Sequence, residues 1–289
     1  MSEGEQKAPE GSEYPAFPET GPGPGRFEAW RRQPLPADVY TPWGWKEVVL
    51  FCLVAFALLF LLTNVMALGA MYWLHLGQAG VMKFAETSAT FLSIRIAIWY
   101  VMVIAYLFAT LALTRHVPFW RTIGWRDFPE GNTPRAPKYG AGVIAGMALA
   151  VLVGLGSKAF PTKGTLPIEQ LFHSRQGVLW LMGVGILLAP AVEETIFRGY
   201  LYPVLARSLG VGGGVLVTGF LFGMMHAEQL WGGWGQIGLM VVVGIVLTYA
   251  RARAGTVLAS WLLHLGYNTF LFAGLFVSTS GLHHLPPAP

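Results

Sequence analysis

The sequence predicts an all-α fold: a polytopic transmembrane helical bundle of about seven to eight helices behind a disordered N-terminal tail. Three observations lead there. Hydrophobic residues make up 54% of the 289 residues and charged residues only 12%, about half the charged share of soluble domains; mean hydropathy is +0.52. Seven stretches contain no Asp, Glu, Lys or Arg, and each can hold one crossing of the roughly 20 apolar residues a bilayer requires. Finally, eight of the 15 acidic residues lie at or before Glu47, among many Pro and Gly.

That first segment, residues 1–40, reads as a tail unable to bury a core. Its opening, MSEGEQKAPEGSEYPAFPETGPGPG, has neither the apolar core nor the cleavage site of a signal peptide, so the first apolar run is expected to act as an uncleaved anchor. Residues 45–279 form the membrane domain. Val48–Met82 is long enough for one crossing plus an interfacial piece. Ile96–Thr114 and Tyr139–Ser157 follow, the latter with Gly142, Gly146, Ala150 and Gly154 every four residues, a stripe for close helix approach. Residues 165–176 can form a short surface helix. Gln176–Val192, Ser208–Ala227, Gln229–Ala250 and Ala254–Pro289 complete the set.

Placing the tail inside gathers 14 of the 19 basic residues on one side, among them Arg115, Arg121, Arg126, Lys138, Arg198, Arg207, Arg251 and Arg253. Lys83, Arg95, Lys158, Lys163 and Arg175 remain outside. The positive-inside rule then favours a cytoplasmic N-terminus, in a multi-pass protein of a cell membrane, the inner membrane of a bacterium. The net charge of +4 is spread over short loops, which suits membrane lipid and not nucleic acid. The single Cys52 excludes an intrachain disulfide framework and reads as a small packing residue. Trp43, Trp45, Trp73, Trp99, Trp120, Trp231 and Trp234 fall near helix ends, where aromatic belts belong; a lipid-tail groove is the alternative for them. Arg95 is expected to snorkel or to pair with Glu86.

The informative segment is Leu188–Leu201, LAPAVEETIFRGYL. Glu193 and Glu194 follow 17 uncharged residues, and a charge at that depth is costly unless paired or hydrated. Glu194 and Arg198 are four apart on one helical face, placed for an ion pair; Glu193 is turned about 100° away and is left for chemistry. Pro190 cannot donate a backbone hydrogen bond, so a kink or non-helical turn is expected just before the acids. Phe222–His226 and His264–Asn268 repeat the spacing of four in later apolar stretches. A turn at Leu209–Gly210 lies 16 residues after Glu193 and 16 before His226, so on helical arms both sit about 24 Å from it and level with each other. His264 and Asn268 need tilt to reach that depth.

A carboxylate, two imidazoles and a carboxamide in a low-dielectric cavity suit hydrolysis by water. Glu193 accepts a proton from the water, His226 orients it, and His264 with the Asn268 amide donates to the oxyanion. No Ser or Cys nucleophile is required, no HExxH motif is present, and no cofactor is expected. Zinc held by Glu193, His226 and His264 is the alternative. A transporter, which also uses intramembrane Glu and His, and a non-catalytic scaffold are the competing classes, although no inverted repeat is visible.

At these residues the sequence resembles the CPBP family, also called the ABI family of intramembrane glutamic endopeptidases, which includes CAAX prenyl proteases, bacteriocin-processing proteins and immunity proteins. Glu193 to Arg198 is similar to its EExxxR motif, Phe222 to His226 to FxxxH, and His264 to Asn268 to HxxxN, in order, within residues 180–276. The resemblance implies that Glu193 and His226 activate water, that His264 and Asn268 form the oxyanion site, and that Glu194, Arg198 and Phe222 support them. It implies a peptide or lipidated protein as the substrate.

Overall fold

The computed structural model describes residues 35–128, 135–162 and 164–287. The expected tail up to residue 34 lies outside them, as does Lys163. The described residues are helical, without a strand. In chain order they form α1 (Trp45–Trp73), α2 (Gln78–Thr87), α3 (Ala89–Phe108), α4 (Phe119–Ile123), α5 (Arg135–Ser157), α6 (Arg175–Gly183), α7 (Ala189–Glu194), α8 (Tyr202–Met225), α9 (Trp234–Ala254) and α10 (Val257–Ser278). Six helical stretches are long and apolar enough to cross a membrane. One of them, Arg175–Met225, holds the fourth and fifth expected crossings. The division falls at Gly210, with φ 74° and ψ 166°, a conformation open to glycine and strained for other residues.

Local chemistry sets the helix ends. Glu47 accepts a 2.8 Å hydrogen bond from the Gly44 amide at the start of α1, while Ser88, Ser174 and Thr256 cap α3, α6 and α10 through their hydroxyls, each satisfying an amide the helix leaves open. The stretch after Val48 divides as expected into α1 and the separate α2. The expected surface helix near residue 165 is a 3₁₀ turn, Pro167–Leu171. Pro190 is the second residue of α7, and the turn ahead of that helix, Val184–Leu188, is π-helical; a proline that offers no amide to the preceding turn disturbs the regular ladder.

Small residues set the packing. A Cβ on Gly146 would lie 1.9 Å from the Leu263 carbonyl oxygen, and one on Gly266 would lie 2.1 Å from that of Val143, so α5 and α10 touch backbone to backbone. Of the predicted stripe, Gly142 and Ala150 take part in this contact region, and Gly154 meets nothing. α8 and α9 approach as closely, through Gly219 against Ile245 and Gly244 against Gly219.

Several sequence expectations are corrected here. Residues 35–40 are not the end of a tail. Ala37–Val39 form a 3₁₀ turn with Val39 buried, Asp38 pairs with the buried Arg251, and Arg207 donates to the carbonyls of Val39 and Trp43. Trp43 is no belt residue: it is 3% exposed, stacks on Tyr200 and donates to the Tyr200 carbonyl. Trp99 likewise donates across to the Ala55 carbonyl, whereas Trp45, Trp73, Trp120, Trp231 and Trp234 are exposed as belts require. Cys52 is exposed on α1 and packs against no core. Arg198 is fully buried inside the bundle, so it contributes no loop charge to orientation. Trp43, Trp99 and Arg207 depart for one reason: polar groups that face a neighbouring segment satisfy its backbone carbonyls instead of facing lipid headgroups.

Candidate active site

The long arm from α6 to the first half of α8 doubles back at Gly210 onto the rest of α8. Phe197 and Phe222 meet at 5.4 Å between ring centroids, and Gly214 lies against the backbone of Ala206. The reversal at that turn lets Glu193 on one arm and His226 at the end of the other line the same cavity.

Glu194 and Arg198 form the predicted pair. Arg198 Nη1 donates to Glu194 Oε1 at 2.8 Å, with both side chains 0% exposed. Each of the other two Arg198 nitrogens also has a partner: Nε donates to Thr248 Oγ1 at 3.1 Å and Nη2 to the Gly244 carbonyl at 2.9 Å, and the guanidinium lies 4.4 Å from the Phe222 ring centroid. The close approach of α8 and α9 is what delivers that carbonyl. Glu194 Oε1 also faces His264 Nδ1 at 2.9 Å. A paired carboxylate only accepts, so Nδ1 carries the proton and the ring is held by α7.

That contact leaves His264 Nε2 directed at Glu193, 3.9 Å from Oε2. His226 caps the end of α8, with Nδ1 2.9 Å from the Phe222 carbonyl. The carbonyl can only accept, so the proton again sits on Nδ1 and Nε2 keeps its lone pair. Phe222 is fully buried between the two imidazoles, at 4.8 Å from His226 and 5.7 Å from His264. Asn268 Nδ2 donates to the Gly185 carbonyl at 2.7 Å, a carbonyl of the π-helical turn before Pro190. One amide hydrogen of Asn268 is thereby used and the other is left. Glu193, His226, His264 and Asn268 all line one cavity of about 380 Å³. Among the described residues, no three His, Cys, Asp or Glu side chains are arranged to hold a metal ion.

Sequence reasoning missed Tyr100. Its hydroxyl donates to Glu193 Oε1 at 2.5 Å, and both residues are buried. It also lines two further cavities of about 530 Å³ each. One is polar at its rim and reaches Glu193 and His226 past Arg95. The other is apolar and runs between α3 and α7. Nothing in the local pattern of α3 marks Tyr100 among its aromatic neighbours; only the packing of α3 on α7 does. Thr248 and the carbonyls of Gly244 and Gly185 were missed for the same reason.

Residues 175–270 match the family described as Type II CAAX prenyl endopeptidase Rce1-like. That segment is Rce1-like. The match spans 96 of the 289 residues, starts with the first residue of α6 and ends within α10. It takes in Glu193, Glu194, Arg198, Phe222, His226, His264 and Asn268. Tyr100 and Arg95 are supplied by a helix that precedes the Rce1-like segment. The matched family is one described as a CAAX prenyl endopeptidase, and the six long apolar helices make the chain a multi-pass membrane protein. The chain has no match among curated proteins or solved structures.

Proposed function

We propose that the protein is an intramembrane endopeptidase that hydrolyses a peptide bond near the end of a lipidated, CAAX-type chain with a water activated by Glu193 and His226. The observation that carries this reading is the convergence of Glu193, His226, His264 and Asn268 on one cavity. Tyr100 holds Oε1 of Glu193, which leaves Oε2 to accept a proton from water while His226 Nε2 accepts the water's other hydrogen bond. The hydroxide attacks the scissile carbonyl carbon. The tetrahedral oxyanion takes hydrogen bonds from the second Asn268 amide hydrogen and from His264 Nε2. Because Nδ1 of His264 is engaged by Glu194, Nε2 donates only when the ring is the imidazolium, and the Glu194 carboxylate is its counter-charge. Glu193 then passes its proton to the leaving nitrogen as the C–N bond breaks.

The lipidated substrate is supported by the family description and by the apolar groove, lined by Tyr100, Ile104, Phe108, Trp120, Trp125 and Val192 among others. It meets the catalytic cavity at Tyr100, so a chain lying in the groove is led to Glu193. The mechanism needs no cofactor. A peptide-release assay on the purified protein, with matched prenylated and unprenylated peptides, tests the reading. Cleavage of the prenylated peptide that survives chelation and vanishes in Glu193→Gln supports it. Full activity of Glu193→Gln overturns it, and activity restored only by added zinc transfers the chemistry to a metal.

A further inference from the structure

Arg95 lies in the apolar span of α3, half-buried, and an ionised group there is costly unless something answers its charge. The charge of Glu228 acts on it only from across a shared cavity, without contact. Arg95 Nε is buried without a hydrogen-bond partner, and Nη1 reaches only Thr63 Oγ1 at 3.4 Å. The expected partner Glu86 shares a cavity with it, as does Glu228, but neither carboxylate is within ion-pair distance among the described residues. Both acids are exposed at the cavity rim, where water screens them. Arg95 sits deeper, in the same cavity of about 530 Å³ that is lined by Tyr100, Glu193 and His226. A planar guanidinium with free donors, facing a cavity that leads to the hydrolytic groups, is matched in shape and charge by a carboxylate.

Spacing narrows which carboxylate. Arg95 precedes Tyr100 by five residues on one helix, a rise of about 7.5 Å, and Tyr100 is bonded to Glu193. An extended peptide advances about 3.3 Å per residue, so a chain with its scissile carbonyl at Glu193 reaches the level of Arg95 two to three residues later. Resting on the peptidase reading above, we infer that Arg95 anchors the free C-terminal carboxylate of the substrate. The apolar groove and this polar cavity then receive opposite ends of the substrate on either side of Tyr100.

The test compares one prenylated peptide carrying a free C-terminal carboxylate with the same peptide as its C-terminal amide. Both binding and cleavage are measured, on wild type, Arg95→Gln and Arg95→Lys. Loss of a charge-assisted contact corresponds to roughly tenfold to a hundredfold. Wild type should bind and cleave the acid better by that factor, chiefly through KM. Arg95→Gln should treat acid and amide alike, and a thermal unfolding curve in detergent beside wild type shows that it folds. Arg95→Lys, with the charge but without the fork, should fall between. Equal handling of acid and amide by wild type overturns the anchor, as does an Arg95→Gln defect of the same size on both. Acid-selective binding that depends on Arg95, with no Glu193-dependent cleavage, would keep the anchor and reject the peptidase reading instead.

Discussion

The Tyr100 hydroxyl of α3 donates a 2.5 Å hydrogen bond to Glu193 Oε1 of α7, across 93 positions of sequence. This bond fixes which carboxylate oxygen faces the cavity, since His264 Nε2 lies on the side of Oε2. Tyr100→Phe keeps the ring and removes the donor, a charge-assisted bond of about 1.5 to 3 kcal/mol. Steady-state kinetics should show kcat lowered on the order of tenfold or more with KM nearly unchanged, and a melting curve close to wild type. A loss confined to KM would make Tyr100 a wall of the groove and not a positioning residue for Glu193.

The adjacent acids should separate cleanly. Glu193→Gln is nearly isosteric and loosens only the long 3.9 Å contact with His264, so it should abolish peptide release at near-normal stability. Glu194→Ala leaves the guanidinium of Arg198 buried with Thr248 and the Gly244 carbonyl as its remaining hydrogen-bond acceptors. Removing one partner of such a pair costs about 3 to 5 kcal/mol. Expression and thermal unfolding in detergent should both fall. A Glu194→Ala protein as stable as wild type would show that the pair does not hold this region together.

Asn268 has two tasks in the proposed site, and they predict different losses. Its bond to the Gly185 carbonyl contributes about 1 kcal/mol to stability, whereas a donor to an oxyanion contributes about 3 kcal/mol to the transition state. Asn268→Ala should therefore lower kcat per folded molecule on the order of a hundredfold, with a small drop in melting temperature. Activity that declines only in step with folded protein would leave Asn268 as a tie between α10 and the turn before Pro190.

Orientation is open to labelling. Arg115 and Arg207 grip the segment from Val39 to Glu47, and Arg251 pairs with Asp38, so three of the basic residues counted for the cytoplasmic side cluster at one end of the bundle. We expect single cysteines before Lys46 and in the stretch 115–138 to resist a membrane-impermeant reagent applied to intact cells. The exposed Cys52 has to be replaced by serine first. Efficient labelling at either place would invert the assignment.

What was legible in the sequence was whatever depends on neighbours along the chain. The i, i+4 spacing forecasts the Glu194–Arg198 pair because helical geometry alone brings those groups together. The same spacing explains His226 against Phe222, whose carbonyl is one turn back in the same helix. Pro190 announces the irregular turn before the acids, and Gly210 the reversal. Trp43 shows the limit: its place before a helix suggested a lipid-facing belt, yet its indole donates to Tyr200 from within the core.

By itself, then, the sequence determined the helical membrane class and the reversal at Gly210, because each follows from hydropathy or backbone freedom. Tertiary structure alone decided that Tyr100 holds Glu193, that Gly185 and Gly244 lend their carbonyls to Asn268 and Arg198, and that Arg95 opens onto the cavity of the site. Those contacts join residues far apart in the chain. They depend on how each helix is rotated about its axis and how near its neighbour it comes, and glycine contacts such as Gly146 on Leu263 and Gly219 on Ile245 settle both only when the helices pack.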